Sequence, residues 1–119
     1  MAVLDRFPDT AWNAQRRRLK RADDRIGSMI VTAQKRKSPQ LLRMALAVDP
    51  QQLTSRGRSY LAAAFEFTMN WGLVPDQELL EIARRIDGQE MEPIWRWALR
   101  RSDAPGDRAR WLLAQMRSR

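Results

Sequence analysis

The segment Thr10–Lys37, TAWNAQRRRLKRADDRIGSMIVTAQKRK, decides how the rest of the chain is interpreted. Its apolar residues recur every seven positions and at the intervening helical offsets: Trp12, Leu19, Ala22, Ile26, Met29, Ile30 and Ala33. This spacing predicts one long helix with a continuous apolar seam. At about 100° per residue, the cations that fall opposite or beside the seam are Arg17, Lys20, Arg21, Arg25 and Lys35. The segment therefore predicts a helix that packs along one side and carries a basic ridge on the other.

The predicted helix is long enough to follow a nucleic acid backbone. About 26 residues at the usual helical rise give a rod of roughly 40 Å, which spans several phosphates. Gly27 lies near its middle and weakens a helix by about 1 kcal/mol relative to Ala. A bend or break near Gly27 is therefore the main alternative.

The charge of the first 37 residues favours a polyanionic partner. They contain ten Lys or Arg residues and four Asp residues, which leaves a net charge of +6. Asp23 and Asp24 are placed to pair with Lys20 and Arg21 one turn back, as on an ordinary solvated helix. Such pairing cannot neutralise this excess, so we predict a binding ridge; a solvated face or an acidic protein partner stays the alternative.

Composition predicts one folded domain over residues 1–119. The chain is 44% hydrophobic with five Trp, which argues against disorder, and its net charge of +8 predicts an acidic partner: DNA, RNA or an anionic membrane surface. The absence of Cys excludes disulfides and thiolate metal sites. Because the N-terminus has no apolar signal region and no run is long enough to span a bilayer, we expect a cytoplasmic protein.

Proline and glycine positions predict an all-α fold. Six prolines divide the chain into pieces of helical length, and no stretch alternates with the period of a strand. We predict a single compact bundle of five to six helices, with residues 1–9 as an irregular N-terminal arm. The predicted helices after the first cover residues 40–48, 50–71, 76–87, 90–101 and 107–117. The third, with an apolar set that includes Trp71, is expected to be central.

The fifth helix adds an aromatic candidate to the predicted interface. Residues two apart on a helix point about 200° apart, so Trp95 and Trp97 cannot both face the core. If Trp95 faces inward, Trp97 lies at the flank beside Arg101, where it either stacks on a base or packs under a neighbouring element. This helix is needed for the core, which argues against membrane binding. The predicted nucleic-acid-binding residues are Arg16, Arg17, Arg18, Lys20, Arg21, Arg25, Lys35, Arg36, Lys37, Trp97, Arg100 and Arg101.

Catalysis is not expected from these residue types. The chain has no His and no Cys, and its five glycines are too scattered to form a phosphate-binding loop. The carboxylate pairs Asp23–Asp24 and Glu78–Glu81 either diverge on a helix or have nearby Arg partners. We predict no enzymatic activity, no cofactor and no metal.

Residues 73–93 carry six carboxylates and two Arg, a net charge of −4. This acidic segment is expected to contact a basic neighbour, either another protein subunit or a second copy of the chain; alternatively, pairs such as Glu81 with Arg85 only stabilise the surface.

A helix-turn-helix around Gly88 would bury Asp87 and Gln89, so backbone recognition of RNA or DNA fits better than sequence reading. The other functional alternatives are a sequence-specific DNA-binding regulator of a mobile element and a protein-binding inhibitor or adaptor.

In size, helix pattern and charge, a short basic all-helical chain with arginines on both terminal helices resembles the small-subunit proteins of CRISPR ribonucleoprotein effectors. The resemblance covers the whole chain and includes no diagnostic motif. It implies a non-catalytic subunit whose copies stack along the backbone-forming subunits. It also implies that Arg17, Arg21, Arg25 and Arg100 line a groove for guide RNA or target strand.

Overall fold

The computed structural model describes residues 2–118, with side chains from Trp12 to Ser118, and all of its regular structure is helical. The helices are α1 (Ala2–Arg36), α2 (Pro39–Leu46), α3 (Ser55–Trp71), α4 (Asp76–Ile86), α5 (Glu92–Ala98) and α6 (Ala104–Arg117). Two short 3-10 helices cover Pro50–Gln52 and Gln89–Met91. The predicted all-α bundle of five to six helices with a long basic first helix is confirmed.

Short local signals fix the helix ends. The Ser38 hydroxyl accepts a hydrogen bond from the Leu41 N–H at 3.2 Å, and Thr54 and Asp103 cap α3 and α6 in the same way. Helix α3 ends at Gly72, whose φ of 60° lies in the left-handed region. Lys37 ends α1 with a φ of 47°, an uncommon conformation for a residue with a side chain.

Several boundary predictions were wrong. Helix α5 ends at Ala98 rather than at residue 101, and α6 begins at Ala104 rather than at residue 107, because Asp103 caps it. Residues 2–9 are helical and continue into α1, rather than forming an irregular arm, although Pro8 removes one backbone N–H from the helix. The third helix does not start at Pro50: a 3-10 turn forms there, and the chain is extended at Leu53 before Thr54 caps α3. The turn has its own cap, because the Asp49 carboxylate accepts a hydrogen bond from the Gln51 N–H at 2.9 Å.

Helices α1 and α3 run parallel, with the short α2 connecting them. Asp23 of α1 contacts the start of α3, Gly27 faces Tyr60 one turn further along, and Lys37 at the end of α1 reaches Trp71 at the end of α3. The helix is not broken at Gly27. The glycine instead allows close approach, since a Cβ there would lie 3.1 Å from the Tyr60 ring.

The core lies between α3 and the remaining helices. Phe65 of α3 is fully buried and meets Trp95 of α5 edge-on, with ring centroids 5.6 Å apart. The predicted inward residues of α4 and α5 are buried, as expected: Leu79, Ile82, Ala83, Ile86, Met91, Ile94, Trp95 and Ala98. Trp71 was expected in the core, but its side chain is 53% exposed because it lies on the last residue of α3.

The N-terminal half of α1 extends beyond this bundle. From Trp12 to Arg21 every side chain is exposed except Leu19, which is partly covered, and Trp12 itself is 59% exposed. The radius of gyration is 17.1 Å, compared with about 13.5 Å for a compact domain of this length. The apolar seam predicted along the whole helix is therefore covered only from about Ala22 onward, where α2 and α3 pack against it.

Candidate nucleic-acid interface

All nine predicted cations of α1 and its C-terminal end are exposed. Among the described side chains, none of the nine has a carboxylate oxygen within 4.0 Å. The ion pairs of the described region use other arginines: Arg43, Arg58, Arg101, Arg108 and Arg110. The charge that the sequence assigns to this helix is thus available to a partner.

The predicted pairing of Asp23 with its neighbours on α1 does not occur, because Asp23 turns inward. Its side chain is 3% exposed, and its carboxylate accepts hydrogen bonds from the Thr54 N–H at 3.2 Å and from the Thr54 hydroxyl. The favourable field of the α3 N-terminus stabilises the buried negative charge. Gly57, one turn into α3, leaves the space that the carboxylate occupies. Asp23 therefore anchors α1 to α3, and its carboxylate does not pair with the cations of α1.

The cations of α1 and Lys37, which follows it, form two groups rather than one continuous ridge. The first cation group consists of Arg16, Arg17, Arg18, Lys20, Arg21 and Arg25, and the second cation group consists of Lys35, Arg36 and Lys37. Between Arg25 and Lys35 the outward positions are Ser28, Val31 and Thr32, which are exposed and uncharged. Ten residues of helix separate the groups by about 15 Å.

The second cation group lies beside an aromatic surface that sequence reasoning missed. The Lys37 ammonium is 3.9 Å from the ring centroid of Trp71, and the Phe67 ring is 5.8 Å from the same indole. Both cation–π and ring contacts of this kind are weakly attractive. The sequence feature that indicates this exposure is the position of Trp71 immediately before Gly72, which ends α3. Side chains in the last turn of a helix have fewer neighbours.

The structure does not bring Trp97, Arg100 and Arg101 to the cations of α1. Helix α1 packs on α2 and α3, whereas α5 packs on α6. The guanidinium of Arg101 lies 4.2 Å from the Trp97 ring centroid and pairs with Asp103, its Nε donating at 2.9 Å to both carboxylate oxygens. The hydrogen bond from Arg101 lowers the pKa of Asp103 below its ordinary value. Of these three residues, Arg100 alone is exposed without a carboxylate partner among the described residues.

The acidic segment 73–93 is partly neutralised by arginines from elsewhere in the chain. Arg43 donates to Glu78 through Nε at 2.6 Å and Nη2 at 3.0 Å, and this hydrogen bonding lowers the pKa of Glu78. Two other carboxylates of the segment have similar partners at 3.0 Å, in the pairs Arg58–Glu90 and Arg108–Asp76. Three of its six carboxylates are thus paired with arginines of the same chain, and the segment offers a partner less negative charge than its sequence indicates.

The described residues contain no group of three or more His, Cys, Asp or Glu side chains that is placed to hold a metal ion. Within residues 2–118, no helix is both long and apolar enough to cross a membrane.

Comparison with protein-family models, with curated proteins and with solved structures found no match to this chain.

Proposed function

We propose that this protein binds nucleic acid without catalysis, through contacts between phosphates and the cations of α1. The observation that carries the proposal is the first cation group: six Lys or Arg side chains within ten positions, all exposed, on a helix that extends beyond the bundle. Phosphates are the polyanions for which clustered arginines provide strong charge-assisted hydrogen bonds.

Electrostatic repulsion within α1 supports the same proposal. Arg17, Arg21 and Arg25 lie at successive four-residue intervals, so their side chains are neighbours on the helix surface. Like charges at this spacing destabilise a helix by about 0.2–0.5 kcal/mol per pair at low salt. A bound polyanion would convert this repulsion into attraction, which makes binding and helix stability mutually favourable.

The experiment measures how the dissociation constant for a fluorescent oligonucleotide depends on salt. Each phosphate contact adds about 0.9 to the slope of log affinity against log salt for duplex DNA, and about 0.7 for a single strand. Changing Arg17, Arg21 and Arg25 together to Glu is expected to lower the slope by about 2–3 and to weaken binding across unrelated sequences.

The matched control changes three exposed arginines on another surface to Glu: Arg84, Arg96 and Arg117, which line a groove between α4, α5 and α6. The two triple variants have the same net charge, so only direct contact distinguishes them. A slope that falls equally in both variants, or in neither, removes α1 from the binding site.

Membership of a larger ribonucleoprotein assembly is the second part of the proposal. It rests on the resemblance to CRISPR effector small subunits and on the carboxylates of the acidic segment that remain without an Arg partner within the described residues, among them Glu81 and Glu92. Purification at low salt is expected to yield a complex larger than the 119-residue chain that absorbs strongly at 260 nm. Tight binding to a purified protein with no nucleic acid binding would instead support the inhibitor or adaptor alternative.

A further inference from the structure

The first cation group surrounds much of the helix instead of forming a single stripe. Arg16, Arg17 and Arg18 are consecutive, so at about 100° per residue the outer two point about 200° apart, with Arg17 midway between them. Lys20 lies on the Arg16 side, and Arg25 lies within about 20° of Arg18. All of these side chains are exposed. The helix thus presents a basic front and two basic flanks.

The front of the helix carries side chains suited to hydrogen bonding with base edges. Asn13 and Arg21 lie four residues before and after Arg17, each about 40° from it around the helix axis. Asn13, Arg16, Arg17 and Lys20 line one shallow groove on the helix surface. In the major groove, Arg donates well to guanine and Asn both donates to and accepts from adenine.

The bundle lies behind this basic front. Asp23, Ile26 and Ile30 are the most buried residues of α1 near the first cation group, and they point about 120–180° away from Arg17. Only Leu19 is partly covered among Trp12–Arg21. Over Trp12–Arg21 a ligand can therefore enclose the front and both flanks without meeting α2 or α3. Arg25 lies where the bundle begins, beside Val48, Asp49 and Gln52.

A ligand that contacts both flanks at once must have two anionic walls. One backbone of a single strand, or one flat anionic surface, reaches side chains on only one side of a helix. The major groove of B-form DNA is about 12 Å wide and accepts a helix 10–12 Å across, with phosphates on either side. The major groove of A-form RNA is too narrow and deep for side chains to enter.

We propose that the N-terminal half of α1 occupies the major groove of B-form duplex DNA. Arg16 and Lys20 contact the phosphates of one strand, Arg18, Arg21 and Arg25 contact those of the other, and Arg17 faces the base edges beside Asn13. This inference rests on the proposed function and narrows its ligand from nucleic acid in general to duplex DNA. The second cation group is not required for it.

The experiment compares three forms of one 20-base-pair sequence with the full-length protein: duplex DNA, one of its DNA strands, and duplex RNA. At 150 mM salt the duplex DNA is expected to bind at least tenfold more tightly than the other two. Methyl green, which occupies the major groove, is expected to compete for the duplex, whereas the minor-groove ligand netropsin is not.

Neutral substitutions on the two flanks test the two-wall geometry. Arg16→Gln and Arg18→Gln are each expected to lower the salt slope on duplex DNA by about 0.9, and the double variant by about 1.8. The loss of affinity between 50 and 200 mM salt then becomes about 12-fold smaller for the double variant than for the unmodified protein. Arg96→Gln removes the same charge from an exposed site on α5 and is expected to leave the slope unchanged. Helicity is compared by circular dichroism, and Gln retains the helix propensity of Arg.

The outcomes separate this inference from the proposed function. If one flank substitution lowers the slope and the other does not, only one wall is present and the major-groove inference is wrong. Equal or tighter binding of duplex RNA or of the single strand also overturns it, while the proposed function stands. If none of the three nucleic acids binds, the proposed function itself fails.

Discussion

Replacing Gly57 with Ala tests whether the buried Asp23 anchor holds α1 against α3. A Cβ at this position would lie 2.9 Å from both the Asp23 Cγ and the Leu53 Cβ, and closer still to a carboxylate oxygen. Non-bonded carbon atoms at optimal separation are about 3.5–4.0 Å apart, so the carboxylate must move. It then leaves its hydrogen bonds with the backbone N–H and the hydroxyl of Thr54.

The expected loss of stability follows from these two bonds. Hydrogen bonds to a charged group contribute about 1.5–3 kcal/mol each, so their loss costs roughly 3–6 kcal/mol. The higher helix propensity of Ala offsets about 1 kcal/mol of this loss. We therefore expect Gly57→Ala to lower the free energy of unfolding by about 2–5 kcal/mol.

Urea denaturation of four proteins provides the measurement: the unmodified chain, Gly57→Ala, Asp23→Ala and the double variant. Removing the Asp23 carboxylate makes room for the new methyl group, so Gly57→Ala is expected to cost at least about 2 kcal/mol less in the Asp23→Ala background. Equal costs in the two backgrounds would refute the reasoning, because the conflict would then lie with Leu53 or with the helix itself.

Three other substitutions have expected outcomes. Gly106→Ala is expected to destabilise the protein by about 1–3 kcal/mol in urea denaturation, because its Cβ would lie 2.6 Å from the Arg101 carbonyl oxygen, a backbone atom with little freedom to move. Gly27→Ala is expected to change stability by less than about 1 kcal/mol in the same assay, since the half-buried Tyr60 ring, 3.1 Å away, can shift while the helix gains propensity. Burial raises the pKa of Glu66, opposed by Arg101, so its contribution to stability is fully present below the ordinary value of 4.5 and is lost as pH rises through the raised value. Glu66→Gln is therefore expected to raise the thermal midpoint at pH 7 relative to the unmodified protein, with a difference that shrinks as pH falls below 4.5; a constant difference would contradict this.

The helix ends that were predictable are those with a local chemical cause. Ser38 before Pro39, and Gly72 after α3, act through their own backbone angles and side chains, so the sequence alone identifies them. Asp49 before Pro50 has the same appearance as Ser38–Pro39 but starts only a 3-10 turn. What ends that turn is the extended backbone at Leu53, whose side chain is buried in the core, and this is a tertiary effect that no local pattern reports.

The residues of the candidate site were predictable, but their arrangement was not. Exposure of the first cation group follows from its charge. The periodic seam that contains Trp12 and Ile26 looks the same over its whole length, yet Ile26 is buried and Trp12 is not. Periodicity identifies the side of a helix that can pack; where its partners begin depends on the length and position of α2 and α3. The inward turn of Asp23 depends likewise on Gly57, 34 positions along the chain.

Asp23 holds α1 at the point where the helix leaves the bundle. It therefore also sets the direction of the exposed part of the helix, from Ala22 back to Trp12. From Ala22 to Trp12 the helix extends by about 15 Å, so a tilt of 10° at the base displaces its far end by about 2.6 Å. That displacement is nearly the length of a hydrogen bond. Substitutions at the start of α3 that touch no ligand would thereby misdirect the guanidinium groups, and affinity would fall through angular error rather than through any loss of charge.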